Sequence, residues 1–227
     1  MDFLIWLALL DGKQTRKQTR KQAMKDKFTV AVWNYKGGVG KSTISLILAE
    51  IAAQRGLRVL AVDLDAQRTF AHTLSLSAES FPHISVRHTL PDSTCTADFD
   101  TVIIDTHQST DKPIIDALVF ADVVLIPIFP DYNSLINLRS AWDFVRSIKS
   151  DSACTALVKN CITGTKLASD IEQTLDTQGY PIAGRLPRSN VIMKNIALGL
   201  QWDKALRDTQ KTKFLNLYNT IVRLHHA

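Results

Sequence analysis

Cysteine is scarce in this chain and long apolar runs are missing. Each shortage closes off a class of protein. The three cysteines among 227 residues, Cys95, Cys154 and Cys161, form an odd and scattered set. None has metal-ligand spacing, so they read as small packing residues. The apolar stretch Phe3–Leu10 is far too short to span a bilayer. No cation precedes it and no small-residue cleavage site follows it, which argues against a secretory signal. From residue 28 onward low-complexity segments are also absent. What remains is an ordinary soluble composition, 45% apolar, with length for one well-cored domain or one domain plus an appendage.

Acidic residues are few at both ends. Residues 1–27 carry 7 Lys/Arg against 3 Asp/Glu, and residues 185–227 carry 8 against 2. The stretch between them holds 12 Lys/Arg and 17 Asp/Glu. Basic ends around an acidic middle suit attraction to a polyanion, either nucleic acid or an anionic membrane. Within the first 27 residues, Lys13, Lys17, Lys21 and Lys25 recur every four positions. This extension reads in three ways: a DNA-attracted tail, disordered or weakly helical; an interfacial membrane anchor with an apolar tip; or a start codon assigned upstream of Met24.

The feature that carries most information is Lys36-Gly37-Gly38-Val39-Gly40-Lys41-Ser42-Thr43, between an apolar strand pattern, Phe28–Trp33, and a helical one. Strand, glycine loop and helix make a phosphate cradle. Loop N–H groups converge on an anion and the helix N-terminus adds partial positive charge. Lys41 supplies an ammonium for the β- and γ-phosphates, and the Ser42 hydroxyl suits Mg²⁺. A plain glycine turn is the bland alternative. The second cation, Lys36, sets the loop apart, because one lysine suffices for binding and the other is available for charge developing during phosphoryl transfer.

On this motif the chain resembles the deviant Walker-motif ATPases of the ParA/MinD family, from about Phe28 to the C-terminus. The resemblance implies an α/β fold, an open, mostly parallel sheet with helices on both faces. It implies ATP and Mg²⁺ as ligands. It also implies an ATP-sandwiched homodimer in which Lys36 acts on the partner's nucleotide. Residues 28–227 then form one ATPase domain behind the 1–27 extension.

The pattern after residue 28 alternates strands and helices, as a parallel sheet covered on both faces requires. Strands are expected at 28–33, 58–63, 84–88, 101–105, 123–128, 156–160 and 181–186. Helices are expected from about Ser42, over 69–76, near 112–120, through Leu135–Ile148, over 167–177 and at the C-terminus. Ligands bind at the carboxyl ends of parallel strands, and three acids fall there: Asp63, Asp65 and Asp105. Asp63-Leu64-Asp65-Ala66-Gln67 is similar to the family's second motif, with Ala66 in place of proline. The resemblance makes Asp65 the residue that orients or activates water, with Asp63 supporting the Mg²⁺ shell; a turn acid capping the next helix is the alternative for both. Asp105 matches the Walker B acid. Thr106-His107-Gln108-Ser109 departs from the family's proline-containing switch, and His107 is either a phosphate or partner contact or merely solvated. By resemblance Asn160 reads adenine and Pro187 closes the other side of the base; for Asn160 a turn role is the alternative.

Arg185, Arg188, Lys194, Lys204, Arg207, Lys211, Lys213 and Arg223 form the candidate DNA-binding set. Lys204, Arg207 and Lys211 have the spacing of one helix face. Contacts of this kind give sequence-independent, salt-sensitive binding to DNA. No helix-turn-helix precedes the ATPase. Membrane contact is expected only through residues 1–27. The expected role is a cytoplasmic, nucleoid-associated switch in plasmid or chromosome partitioning, with a ParB-like or other activating partner. Rival readings are the same switch in conjugative transfer, protein-body or septum positioning; a P-loop small-molecule kinase or reductase-type enzyme; and a non-hydrolysing ATP-dependent adaptor.

Overall fold

The computed structural model describes residues 28–92, 95–149, 155–189, 192, 194 and 198–226. The 1–27 extension and Cys154 lie outside them. Seven strands form one sheet: β1 (Phe28–Val32), β2 (Val59–Asp63), β3 (Ile84–Arg87), β4 (Thr101–Asp105), β5 (Val123–Ile128), β6 (Thr155–Ile162) and β7 (Ile182–Pro187). Their order is β3-β2-β4-β1-β5-β6-β7 and every pairing is parallel. All seven expected strands are present. The inner strands β1, β2, β4 and β5 read as near-continuous apolar runs because both of their faces are covered.

The helices are α1 (Lys41–Gln54), α2 (Thr69–Leu76), α3 (Lys112–Phe120), α4 (Tyr132–Ile148), α5 (Lys166–Thr177), α6 (Trp202–Ala205) and α7 (Asp208–His225). Two short 3₁₀ turns, Ala78–Ser80 and Cys95–Asp98, were not legible in the sequence. Alternate strand residues divide between two cores. Val30, Val32, Ala61 and Ile103 face α1, α2, α6 and α7. Ala31, Trp33, Leu60 and Ile104 face α3, α4 and α5. Helix α1 is buried along nearly its whole length, since it packs on the sheet and also against α2 and α7.

Sheet register places the functional end. Val32 pairs with Asp105, and Asp105 pairs with Asp63. The glycine loop and both buried acids therefore emerge from three adjacent strands. Trp33 continues the line of β1 by donating its N–H to the Leu125 carbonyl at 3.0 Å.

Candidate nucleotide site and basic surface

The glycine loop turns on two left-handed residues, Gly38 (φ 72°) and Gly40 (φ 90°). Gly40 sits at the N-cap of α1, where it supplies no capping side chain, and no acid occupies the first turn. A β-carbon on Gly40 would also come within 2.3 Å of Asn160 Nδ2. Glycine is thus required twice, by conformation and by space. Asn160 donates from Nδ2 to the Val39 carbonyl at 2.7 Å and accepts the Cys161 N–H at Oδ1. It acts as a strut for the loop as well as a wall of the cleft.

A cleft of about 360 Å³ opens over this loop. Its lining brings together Gly38, Gly40, Lys41, Ser42, Thr43, Asp65, Asn160 and Pro187, all of them expected, with Gln108 and Phe129 added. Gly37 and Val39 shape the loop from outside the lining. Cys161 also lines the cleft, with a left-handed φ of 54°, so it is not the simple packing residue expected.

The two lysines are placed differently. Lys41 is buried. Burial lowers its pKa below the ordinary lysine value, and the Asp105 and Asp65 carboxylates oppose that fall. Its Nζ lies 3.3 Å from the Lys36 carbonyl. Lys36 is not in the cleft lining. Trp33, Tyr35 and Phe144 form an aromatic cluster with centroids 4.7, 5.1 and 5.7 Å apart, which directs the chain toward α4. There Lys36 Nζ bonds both Asp131 oxygens, at 2.8 and 2.7 Å, and Ser134 Oγ at 3.1 Å. Asp131 also caps α4 by accepting the Ser134 N–H. Burial pushes the Asp131 carboxyl up, but Lys36 and Ser134 outweigh it and leave the pKa below the usual value.

Asp105 is fully buried. Burial raises its pKa to about 7; the Asp63 carboxylate adds to the rise, while the Ser42 and Ser45 hydroxyls and the Lys41 ammonium oppose it. Oδ1 accepts from Ser45 Oγ at 3.1 Å, and Oδ2 has no hydrogen-bond partner among the described residues. An orphaned carboxylate oxygen beside Ser42 fits a hydrated Mg²⁺. Among the described residues no cluster of three or more His, Cys, Asp or Glu side chains is placed to hold a metal, so such an ion would depend on phosphate oxygens as well. Asp63 is engaged otherwise. Its Oδ1 accepts the Asp65 N–H at 3.0 Å and its Oδ2 the Ala71 N–H at 2.9 Å. That arrangement favours the capping role over the Mg²⁺ role, with the acid buried and not solvated. Asp65 is half-buried and reaches the cleft, with Oδ1 accepting the Gln67 N–H at 2.9 Å. His107 does not line the cleft; its Nδ1 accepts the Ser109 N–H at 3.3 Å and its Nε2 lies 3.6 Å from Asp111.

The basic set is less uniform than its sequence spacing suggests. Lys204, Arg207 and Lys211 do not share one helix. The backbone leaves α6 at Leu206 (φ −110°, ψ 149°), Arg207 is extended (φ −75°, ψ 156°), and α7 begins only at Asp208. Arg185 is paired with Glu172, its Nη2 at 2.7 Å from Oε2, and Lys211 Nζ lies 3.0 Å from Asp208. Arg188, Lys194, Lys204, Arg207 and Arg223 are exposed, and Lys213 is half-buried. None of these six has an ion-pair partner among the described residues.

One residue missed by the sequence reading is Glu50. It is 1% exposed in the middle of α1. It accepts from Ser77 Oγ at 2.9 Å and from the Trp202 N–H at 2.7 Å, so it ties the nucleotide-site helix to the end of α2 and the start of α6. Burial raises its pKa to about 7, the two hydrogen bonds lower it, and nearby Asp203 raises it further. The available signal was an acid inside an otherwise apolar helical run.

A glycine loop with a buried lysine, an orphaned strand-end carboxylate and a cleft above them defines a P-loop nucleotide-binding protein. Comparison with known proteins narrows the class. Residues 30–202 match the family described as the CobQ/CobB/MinD/ParA nucleotide binding domain, and the chain belongs to that family. It is 27% identical over 187 residues to the maintenance of carboxysome distribution protein A of Halothiobacillus neapolitanus, covering 76% of this chain and 85% of that one. Among solved structures it is similar to a putative plasmid partition protein of Borrelia burgdorferi bound to AMPPNP (TM-score 0.70, 17% identity, 86% of this chain and 98% of the other). It is also similar to the septum site-determining protein MinD of Pyrococcus horikoshii complexed with Mg-ADP (TM-score 0.69, 16% identity, 86% and 95%). At these identities the structural likeness establishes the fold: seven parallel strands with helices on both faces. Among the described residues no helix is long and apolar enough to cross a membrane.

Proposed function

We propose that this protein is an ATP-hydrolysing switch of the partition type. ATP binds in the cleft, with its phosphates on the Gly37–Thr43 loop and Lys41 and its base between Asn160 and Pro187. Ser42 and Asp105 would hold a hydrated Mg²⁺, which would supply charge neutralisation at the phosphates. Asp65 accepts a hydrogen bond from the attacking water. Two copies close face to face, each giving Lys36 to the other's nucleotide, and the pair binds DNA non-specifically through its C-terminal basic residues. Hydrolysis reopens the pair and releases it. A ParB-like partner sets the timing, in a cytoplasmic, nucleoid-associated cycle that moves a plasmid or chromosome segment.

One observation carries this reading. Lys41 lines the cleft, while Lys36 is held outside it on Asp131. Lys36 therefore does not serve its own chain's phosphates in this conformation. The Lys36–Asp131 pair is partly exposed, with side chains 29% and 38% accessible. Such pairs are worth about 0–1 kcal/mol, so a second anionic partner can displace it. The test is DNA binding at two salt concentrations with ATP and with ADP, alongside sedimentation. The expected result is salt-sensitive binding by an ATP-dependent dimer. Equal binding with ADP, or a monomer that cleaves saturating ATP at full rate, rules the switch out.

A second cargo, a protein body, is favoured by the likeness to a carboxysome-distribution protein along 85% of its length. Hydrolysis accelerated by a body-associated adaptor and not by a DNA-bound partner would select it.

A further inference from the structure

We propose that Gln108 faces the terminal phosphate and positions the attacking water. This inference rests on the hydrolysis reading above and adds a residue to it.

The loop after β4 is pinned at two points. Thr106 is fully buried and donates from Oγ1 to the Val32 carbonyl at 2.8 Å, which ties it to the last residue of β1. The Ser109 carbonyl accepts from Trp33 Nε1 at 3.1 Å. Gln108 is exposed between these anchors, and its side chain lies against Gly37 of the glycine loop. A β-carbon on Gly37 would lie 2.9 Å from Gln108 Oε1, 3.5 Å from Cδ and 3.7 Å from Nε2. The whole carboxamide therefore sits within contact distance of the phosphate cradle. It lines the cleft together with Lys41, Ser42 and Asp65. His107, the neighbour that drew attention in the sequence, is turned into its own loop.

The chemistry suits the place. A carboxamide donates and accepts at once, so it bridges a water and a phosphoryl oxygen without adding charge. It complements Asp65, which only accepts. In the reaction the water oxygen bonds to the terminal phosphorus as the bond from that phosphorus to the β-phosphate oxygen breaks. The electron pair leaves with ADP, and the water's proton passes to the phosphate. Gln108 neither gains nor loses a proton. Its side chain is exposed, which leaves it room to turn toward a bound nucleotide.

The experiment compares wild type, Gln108→Ala and Gln108→Glu in the full chain. It measures steady-state phosphate release and the affinities for a fluorescent ATP analogue and its ADP counterpart. In Gln108→Ala both affinities should stay within about twofold while kcat falls about tenfold or more, the loss expected for one positioned hydrogen-bonding group. Gln108→Glu should lose kcat as well and should weaken ATP more than ADP, because its charge opposes the terminal phosphate. A kcat in Gln108→Ala within about twofold of wild type overturns the inference. So does an equal loss of ATP and ADP affinity, which would mark Gln108 as a scaffold for the loop. If wild type itself releases no phosphate, the hydrolysis reading fails first and takes this inference with it.

Discussion

The two ends of the glycine loop treat the same functional group in opposite ways. At its exit Lys41 is buried, with its pKa lowered by that burial and no carboxylate within ion-pair distance among the described residues. At its entrance Lys36 is half exposed and gripped by Asp131 at 2.7 Å. A cation held without an anionic partner in a lined cleft is prepared for an incoming anion. A cation neutralised on a helix N-cap is withheld from its own site and available for release. The difference teaches that a repeated residue in one motif need not have a repeated role, since the packing around each copy decides it.

The strongest way to test this contrast is Lys36→Ala. Phosphate release should fall by about a thousandfold, as for other cations supplied in trans, while ATP affinity stays within about threefold. Full turnover in that variant would erase the distinction between the two lysines. Lys41→Ala should do the reverse, weakening ATP by about tenfold to a hundredfold through loss of a charged contact, as read by equilibrium titration. Asp131→Ala sharpens the comparison. It frees Lys36 and removes the cap of α4, so thermal stability should drop by about 1 kcal/mol while ATP-dependent self-association rises a few-fold. Unchanged association would show that the Asp131 pair withholds nothing.

The smallest expected effect lies away from the loop. Glu50 titrates near 7 in the folded chain against an ordinary value of 4.5. Between those values the folded protein keeps a proton that the unfolded chain has released, so stability falls as pH rises through the window and levels off above it. Glu50→Gln should flatten that slope in urea unfolding at about pH 5 and pH 7.5, with Asp105 leaving a residual slope of the same sign. An unaltered slope would remove Glu50 from the account.

Much of this was legible because it is local. The expected spans 69–76 and about 112–120 match α2 and α3. The strand-end acids follow from apolar runs that stop in Asp. What escaped is set at a distance. Asp131 lies 95 positions from Lys36, and Glu172 lies 13 from Arg185, so neither pairing leaves a mark on spacing. The Lys204–Arg207–Lys211 spacing misled because helical periodicity continues in register across a two-residue break. Asp63 looked like a metal-side acid because its type and position fit. Only the fold shows that two backbone N–H groups occupy it.

The bond from Asn160 to the Val39 carbonyl spans 121 residues. It makes the phosphate cradle a late product of chain growth. A nascent or truncated polypeptide ending before β6 would contain every residue of the motif yet lack the prop that gives the loop its shape. The prop for the loop thus arrives only with the second half of the sheet, and a ribosome-bound first half is expected to hold nucleotide less well than the full chain.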